Sequence, residues 1–318
     1  MSVDATWLIV PVDKAGVQKA VKAAYCGLSN VPLLSVLCGS KTAWPLLPVP
    51  ANLFPNFPAG KHPVIVQQSY NHDIRQTIAN NGFFIQALRG SSIIVPLVDR
   101  LRDGKTPFNL PVLGYLNSTV PEVAGTIGGV TLQAGCFTPD SSAYEQDTSN
   151  PNQFRSQSRN QILSPTLLPC GNCPLGAPCI EPSNIDMYFK SAHPAQSPYP
   201  YTLPALKSLL NAPTILNFLG SLANGAGGGF PGSVLGGCKD IPCCERDTTY
   251  FNYSSAQPMA RVGISVKLYE PQVPAGLGGS YGDSASSRVG GFSACGQLIG
   301  GGLEECKVAA ARVDRTAL

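Results

Sequence analysis

Charge is scarce in this chain. Asp, Glu, Lys and Arg make up 13% of its 318 residues, and the net charge is +3. With 22 basic and 19 acidic residues and no Lys/Arg run, there is no electrostatic footprint for a polyanion. Neither nucleic acid nor a membrane surface is expected as a partner. Long apolar runs are lacking too, since no stretch approaches the roughly 20 residues a helix needs to cross a bilayer. The opening residues, MSVDATWLIVPVDKAG, carry no basic segment, and Pro11 cuts their apolar run, so they do not read as a secretory signal. The final Arg-Thr-Ala-Leu is not the Ser-Lys-Leu peroxisomal address. A soluble, cytoplasmic protein is the expectation. No GxSxG elbow, P-loop or dinucleotide fingerprint occurs, so no cofactor is expected.

Glycine and proline are plentiful, at 33 and 29 residues. That composition suits many short strands and turns better than long helices. Hydrophobic content of 43% supplies a substantial core. Eleven cysteines are present, an odd number. Without a secretory signal, most read as reduced, buried thiols, with local disulfides as the alternative. Cys170-x2-Cys173 fits a zinc knuckle, but Cys238, Cys243 and Cys244 lack a matching second half. No metal site is expected.

Trp7 to Pro11 reads as a strand. Residues 13–25 read as a helix, with Val17, Val21 and Ala24 at helical spacing and Asp13 as cap. Residues 62–70, 82–88, 91–98, 110–116 and 126–137 read as successive strands, with turns at 80–82, 89–90 and 103–104. That pattern is an antiparallel meander, which closes into a barrel or sandwich. The polar stretch 140–160 reads as a loop or lid, 203–223 as one or two helices, and 260–269 as a strand. Gly-rich turns and a tail follow. The expected fold is mainly β with α decorations, an antiparallel β-barrel or cone. It would be one domain over residues 1–318, with a loop- and Cys-rich elaboration at about 140–258.

Polar residues crowd two strand ends. Tyr70, Asn71, His72, Asp73 and Arg75 close one, and Asp99, Arg100, Arg102, Asp103 and Lys105 close the other. Side chains alternate along a strand. Tyr70 and His72 should therefore share one face, and Asn71, Asp73 and Arg75 the other. His72 suits general acid or base work, with Asp73 or Asp99 to orient it, and Tyr70 suits an oxyanion donor. Arg75 or Arg100 is an anion-clamp candidate. The second cluster also reads as a surface turn with ion pairs. Glu122, ahead of a Gly-rich strand, is a candidate barrel-lining base.

The segment Leu47-Pro48-Val49-Pro50, a Pro-Gly turn and a strand ending Tyr70-Asn71-His72 resembles the acetoacetate decarboxylase superfamily. The opening TWLIVPVDKAGVQKAV is similar in layout, and VDRLRDGKTPF resembles fungal decarboxylase-like proteins of secondary metabolism. The resemblance covers about residues 5–140 and the 260–270 strand. It implies an antiparallel barrel or cone whose interior is the active site. The family's Schiff-base chemistry uses one of two adjacent lysines, desolvated so that it loses its proton. This chain has Thr131, Leu132 and Gln133 at the corresponding place and no Lys-Lys pair anywhere. Lys267, mid-strand, would substitute if it faced inward and would be ordinary if it faced outward.

The expectation is a lyase-, cyclase- or dehydratase-type enzyme on a small β-keto or polyketide-like substrate. It would work by proton transfer and enolate stabilisation. A non-catalytic small-molecule-binding barrel and a decarboxylase with a relocated lysine are the alternatives. Assembly into a homo-oligomer is left open.

Overall fold

The computed structural model describes residues 1–25, 43–78, 81–117, 132–160, 183–192, 201–216, 243–251, 258–282, 284 and 286–312. Strand β1 (Ser2–Asp13) runs straight into helix α1 (Lys14–Tyr25). Asp13, expected to cap that helix, accepts from Lys61 Nζ at 2.9 Å instead. Strands β2 (Lys61–Ile78), β3 (Asn81–Val98) and β4 (Phe108–Leu116) follow as a meander. The turn expected at Arg89-Gly90 is absent, and β3 passes straight through it. Strand β5 (Leu132–Thr138) pairs parallel to β4, which breaks the antiparallel pattern. The stretch expected to be a loop after residue 140 carries β6 (Glu145–Gln146) and β7 (Phe154–Asn160). Its Ser, Gln and Arg residues alternate between the two faces of a strand, a polar pattern that hid it.

Then come β8 (Ser183–Ser191), helix α2 (Leu203–Leu210), β9 (Thr214–Ile215), β10 (Cys244–Phe251), β11 (Met259–Leu268), β12 (Gly279–Gly282), β13 (Gly290–Glu304) and helix α3 (Cys306–Arg312). Thr202 caps α2, its Oγ1 accepting from Ala205 N at 3.3 Å. The Gly-rich tail of the sequence reading is thus the 15-residue β13.

The strand pairings close two rings that share β1, β2, β3, β4 and β13. One is completed by β9 and β10, making seven strands; the other by β5, β7, β8 and β11, making nine. Where the two rings overlap the shared sheet is buried on both faces, while Phe84 on β3 and Ile299 on β13 lie beyond that overlap and are exposed. Alternate residues of β1 serve the two sides. Leu8, Val10 and Val12 join a core with Phe137, Ile185, Met187 and Phe189 inside the nine-strand ring. Val3, Ala5, Trp7 and Ile9 join Phe251 and the apolar face of α2. The mainly-β barrel expectation holds, with this doubling.

Cys244 and Cys306 form a disulfide, and Cys136 and Cys243 are also disulfide-bonded. The expectation of mostly reduced thiols fails at these positions. The bond between Cys244 and Cys306 ties the start of β10 to α3, two elements 62 residues apart in sequence. Cys170, Cys173, Cys179 and Cys238 lie outside the described residues. No helix among the described residues is long and apolar enough to cross a membrane.

Candidate active site

Residues directly opposite each other in antiparallel strands share a face. Register therefore builds a row across the nine-strand ring: Ser293, Thr6, Gln68, Ser91 and Tyr115. Its side chains point inward, as the contacts of its members show. Thr6 Oγ1 and Ser293 Oγ are 2.7 Å apart. Arg261 Nε donates to Ser293 Oγ at 2.8 Å, Arg261 Nη1 to Ser191 Oγ at 2.7 Å, and Arg261 Nη2 to Tyr144 Oη at 3.0 Å. The Arg261 guanidinium also lies 4.5 Å from the centroid of the Phe154 ring, a cation–π contact.

One row further along the strands stand Asp4, Tyr70 and Arg89. Arg89 is wholly buried. Its Nη1 donates to Ser69 O at 2.6 Å, Nε to Pro139 O at 3.1 Å and Nη2 to Ser156 Oγ at 3.3 Å. Burial lowers its pKa to about 10, against the pull of Asp140, so it remains a cation at neutral pH. Two fixed positive charges thus lie inside the ring.

Gln68 lies between them and is also wholly buried. Its Oε1 and Nε2 have no hydrogen-bond partner, nor do Ser91 Oγ and Ser158 Oγ. A buried polar group without a partner costs roughly 1–3 kcal/mol. Unpaired groups that face the interior of a ring are satisfied by an ordered water or by a bound polar group.

Four residues along β2 from Gln68, on the same face, His72 stands at the ring's rim with 37% of its side chain exposed. Its Nδ1 is 3.3 Å from Asp73 Oδ2 and its Nε2 is 3.9 Å from Asp4 Oδ2. Tyr70 lies between, half-buried, its ring centroid 6.2 Å from that of His72. The expectation that Tyr70 and His72 share a face is met.

Asp73, expected on the opposite face, has an exposed side chain and a φ of 52°, and its carboxylate stands beside the His72 ring. Arg75 is exposed, on a part of the β2–β3 hairpin that reaches past the end of β1, so it does not reach the ring interior. Lys267 is exposed as well. Uninterrupted alternation would place it on the face of Arg261, but an irregularity between Gly263 and Ser265 switches the parity of β11. Val266 and Leu268 face in, and Lys267 faces out. Among the described residues no lysine is buried. Glu122 lies outside the described residues.

The Asp99–Lys105 cluster is a turn held by its own backbone. Asp99 accepts from Asp103 N at 3.1 Å and Gly104 N at 2.9 Å, so it does not orient His72. Asp103 accepts from Lys105 N, Thr106 N and Thr106 Oγ1. Those bonds, the Thr106 hydroxyl first, lower the Asp103 pKa to about 2. Arg102 Nη2 donates to Ala43 O at 3.3 Å, and the Arg100 guanidinium lies 5.3 Å from the centroid of the Trp44 ring. Sequence reasoning missed Gln68, Ser91, Arg89 and Arg261. The one available signal was Arg261, a charge set among apolar strand residues.

No family model matches the chain, and no curated protein matches it. Among solved structures it is similar to an acetoacetate decarboxylase, with 9% identity, TM-score 0.44 and coverage of 95% of this chain and 89% of that one. It is similar to the enduracididine biosynthesis enzyme MppR, with 10% identity, TM-score 0.42 and coverage of 95% and 86%. A third is an acetoacetate decarboxylase-like enzyme from Sphingomonas wittichii RW1, with 9% identity, TM-score 0.35 and coverage of 95% and 90%.

Proposed function

We propose that the chain is an enzyme that moves a proton on a β-keto or polyketide-like compound lying along β2 inside the nine-strand ring. The reaction class is that of a lyase, cyclase or dehydratase. The observation that carries this reading is the single face shared by Gln68, whose amide has no partner, and by Tyr70 and His72. Gln68 and His72 are four residues apart, or about 13 Å of strand, a distance that suits an extended chain better than a compact ketone. The inner end of the substrate meets Gln68 and Ser91. At the rim, His72 takes the proton from a carbon between two carbonyls, with Asp73 holding its Nδ1 side. The Tyr70 hydroxyl donates to the enolate oxygen that forms. Arg89 and Arg261 are fixed before reaction, so their field favours negative charge as it develops.

Among the described residues no lysine is buried, so none of those is desolvated as a Schiff-base lysine must be to lose its proton near neutral pH. The engagement of every nitrogen of both guanidiniums by protein acceptors favours a second reading, a barrel that binds without turnover. Deuterium uptake from D2O at the acidic carbon of a triketide separates them. The expected result is uptake above the buffer rate, with His72→Ala slower by about 100-fold, the lower range for a general base. Binding without catalysed uptake would leave the binding barrel. Uptake undiminished in His72→Ala would remove His72 from the chemistry.

A further inference from the structure

The Gln68 amide is 0% exposed and presents both a donor and an acceptor with no protein partner. From this we infer that the inner end of the site selects an uncharged group with adjacent donor and acceptor atoms, such as a carboxamide or an enolised dicarbonyl, and discriminates against an ionised carboxylate. The inference rests on the reading above that a ligand enters this ring. Its basis is hydrogen-bond complementarity. An amide side chain carries one acceptor oxygen and an NH2 donor. A planar group with one donor and one acceptor edge satisfies both at once. The conclusion does not depend on which way the amide is turned, because both orientations present the same pair of functions.

A carboxylate fits poorly for three reasons. It accepts only, so it would set its lone pairs against Gln68 Oε1 and leave that atom unpaired. Every guanidinium nitrogen already serves the protein, Arg89 bonding Ser69 O, Pro139 O and Ser156 Oγ and Arg261 bonding Ser293, Ser191 and Tyr144, so only the second N–H of a terminal nitrogen is left for a carboxylate. Removing an ion from water into a wholly buried place is costly unless it is fully paired. Ser91 Oγ stands opposite Gln68 in the same row, also unpartnered. As a hydroxyl it both donates and accepts, so it complements either edge of the neutral group.

The test is isothermal titration of the full chain at pH 7 with a triketide amide and the matching triketide acid, together with deuterium uptake on the same samples. The expected result is that the amide binds at least tenfold more tightly than the acid. Gln68→Leu should lose tenfold or more for the amide and little for the acid. Equal affinities, or a preference for the acid, would overturn the inference, and the wild-type comparison decides this even where Gln68→Leu does not fold. Amide-selective binding without deuterium uptake would sustain the inference and remove the enzyme reading. Uptake on the acid alone would do the reverse, and binding of neither compound would end both.

Discussion

His62 shows how one buried side chain can set a pH limit on this fold. It is wholly enclosed, with Nε2 2.8 Å from Pro96 O and no partner at Nδ1. Burial drives its pKa from 6.5 down to about 4. The unfolded chain therefore binds more protons than the folded one between those values. The resulting stability is complete above pH 6.5 and is lost as pH falls towards 4, by roughly 3 kcal/mol in all. Urea midpoints at pH 7.5 and 4.5 should differ accordingly, and His62→Gln should remove much of the difference. Equal midpoints in the wild-type protein would show that His62 is not enclosed as described. At this same scale the site was half legible. Tyr70 and His72 could be placed on one face by alternation alone. Asp73 could not, because a positive φ in a non-glycine residue has no sequence signature of its own here.

At the scale of elements, glycine decides where backbones meet. In α1, Gly16 rests on the loop that follows β11, and a Cβ there would overlap the carbonyl oxygen of Gly276. Gly276 has φ of 98°, which favours glycine. Gly16→Ala is normally favourable within a helix, by up to about 1 kcal/mol. Here it should instead destabilise by roughly 1–3 kcal/mol, the range for overpacking, read as a lower urea midpoint with unchanged slope. A midpoint at or above wild type would show that the helix and loop are not in contact. Similar approaches explain why β13 was illegible. Its run Gly290-Gly291-Phe292-Ser293 lacks a strand's usual β-branched residues, yet a side chain at Gly291 would overlap Trp7 O. Strands β2, β4 and β11 were legible because they alternate or carry unbroken apolar runs. The parity of β11 was not, since the irregularity that turns Lys267 outward leaves no mark in its residue pattern.

At the scale of the whole molecule, closure is what the sequence could not state. Gln68 reads as an ordinary polar strand residue until β11 pairs with β13 and encloses it. The disulfides belong to this scale too. Cross-linking Cys244 to Cys306, 62 residues apart, stabilises by roughly 4 kcal/mol in the chain-entropy account. Cys244→Ala/Cys306→Ala should lose most of that stability, and alkylation of the denatured, unreduced wild-type protein should leave both residues unmodified. Alkylation at either would show a reduced pair and restore the expectation drawn from sequence. Disulfides persist mainly in oxidising compartments, so these bonds give no support to the cytoplasmic expectation.

We place the ligand on the inner face that carries Gln68, Tyr70 and His72. A crystal structure of the protein soaked with the triketide amide tests it most directly. The expected density runs along β2 inside the nine-strand ring, with one end within hydrogen-bond distance of the Gln68 amide and the other beside His72. Density confined to the seven-strand ring or the outer surface, or an interior with Gln68 untouched, would contradict it.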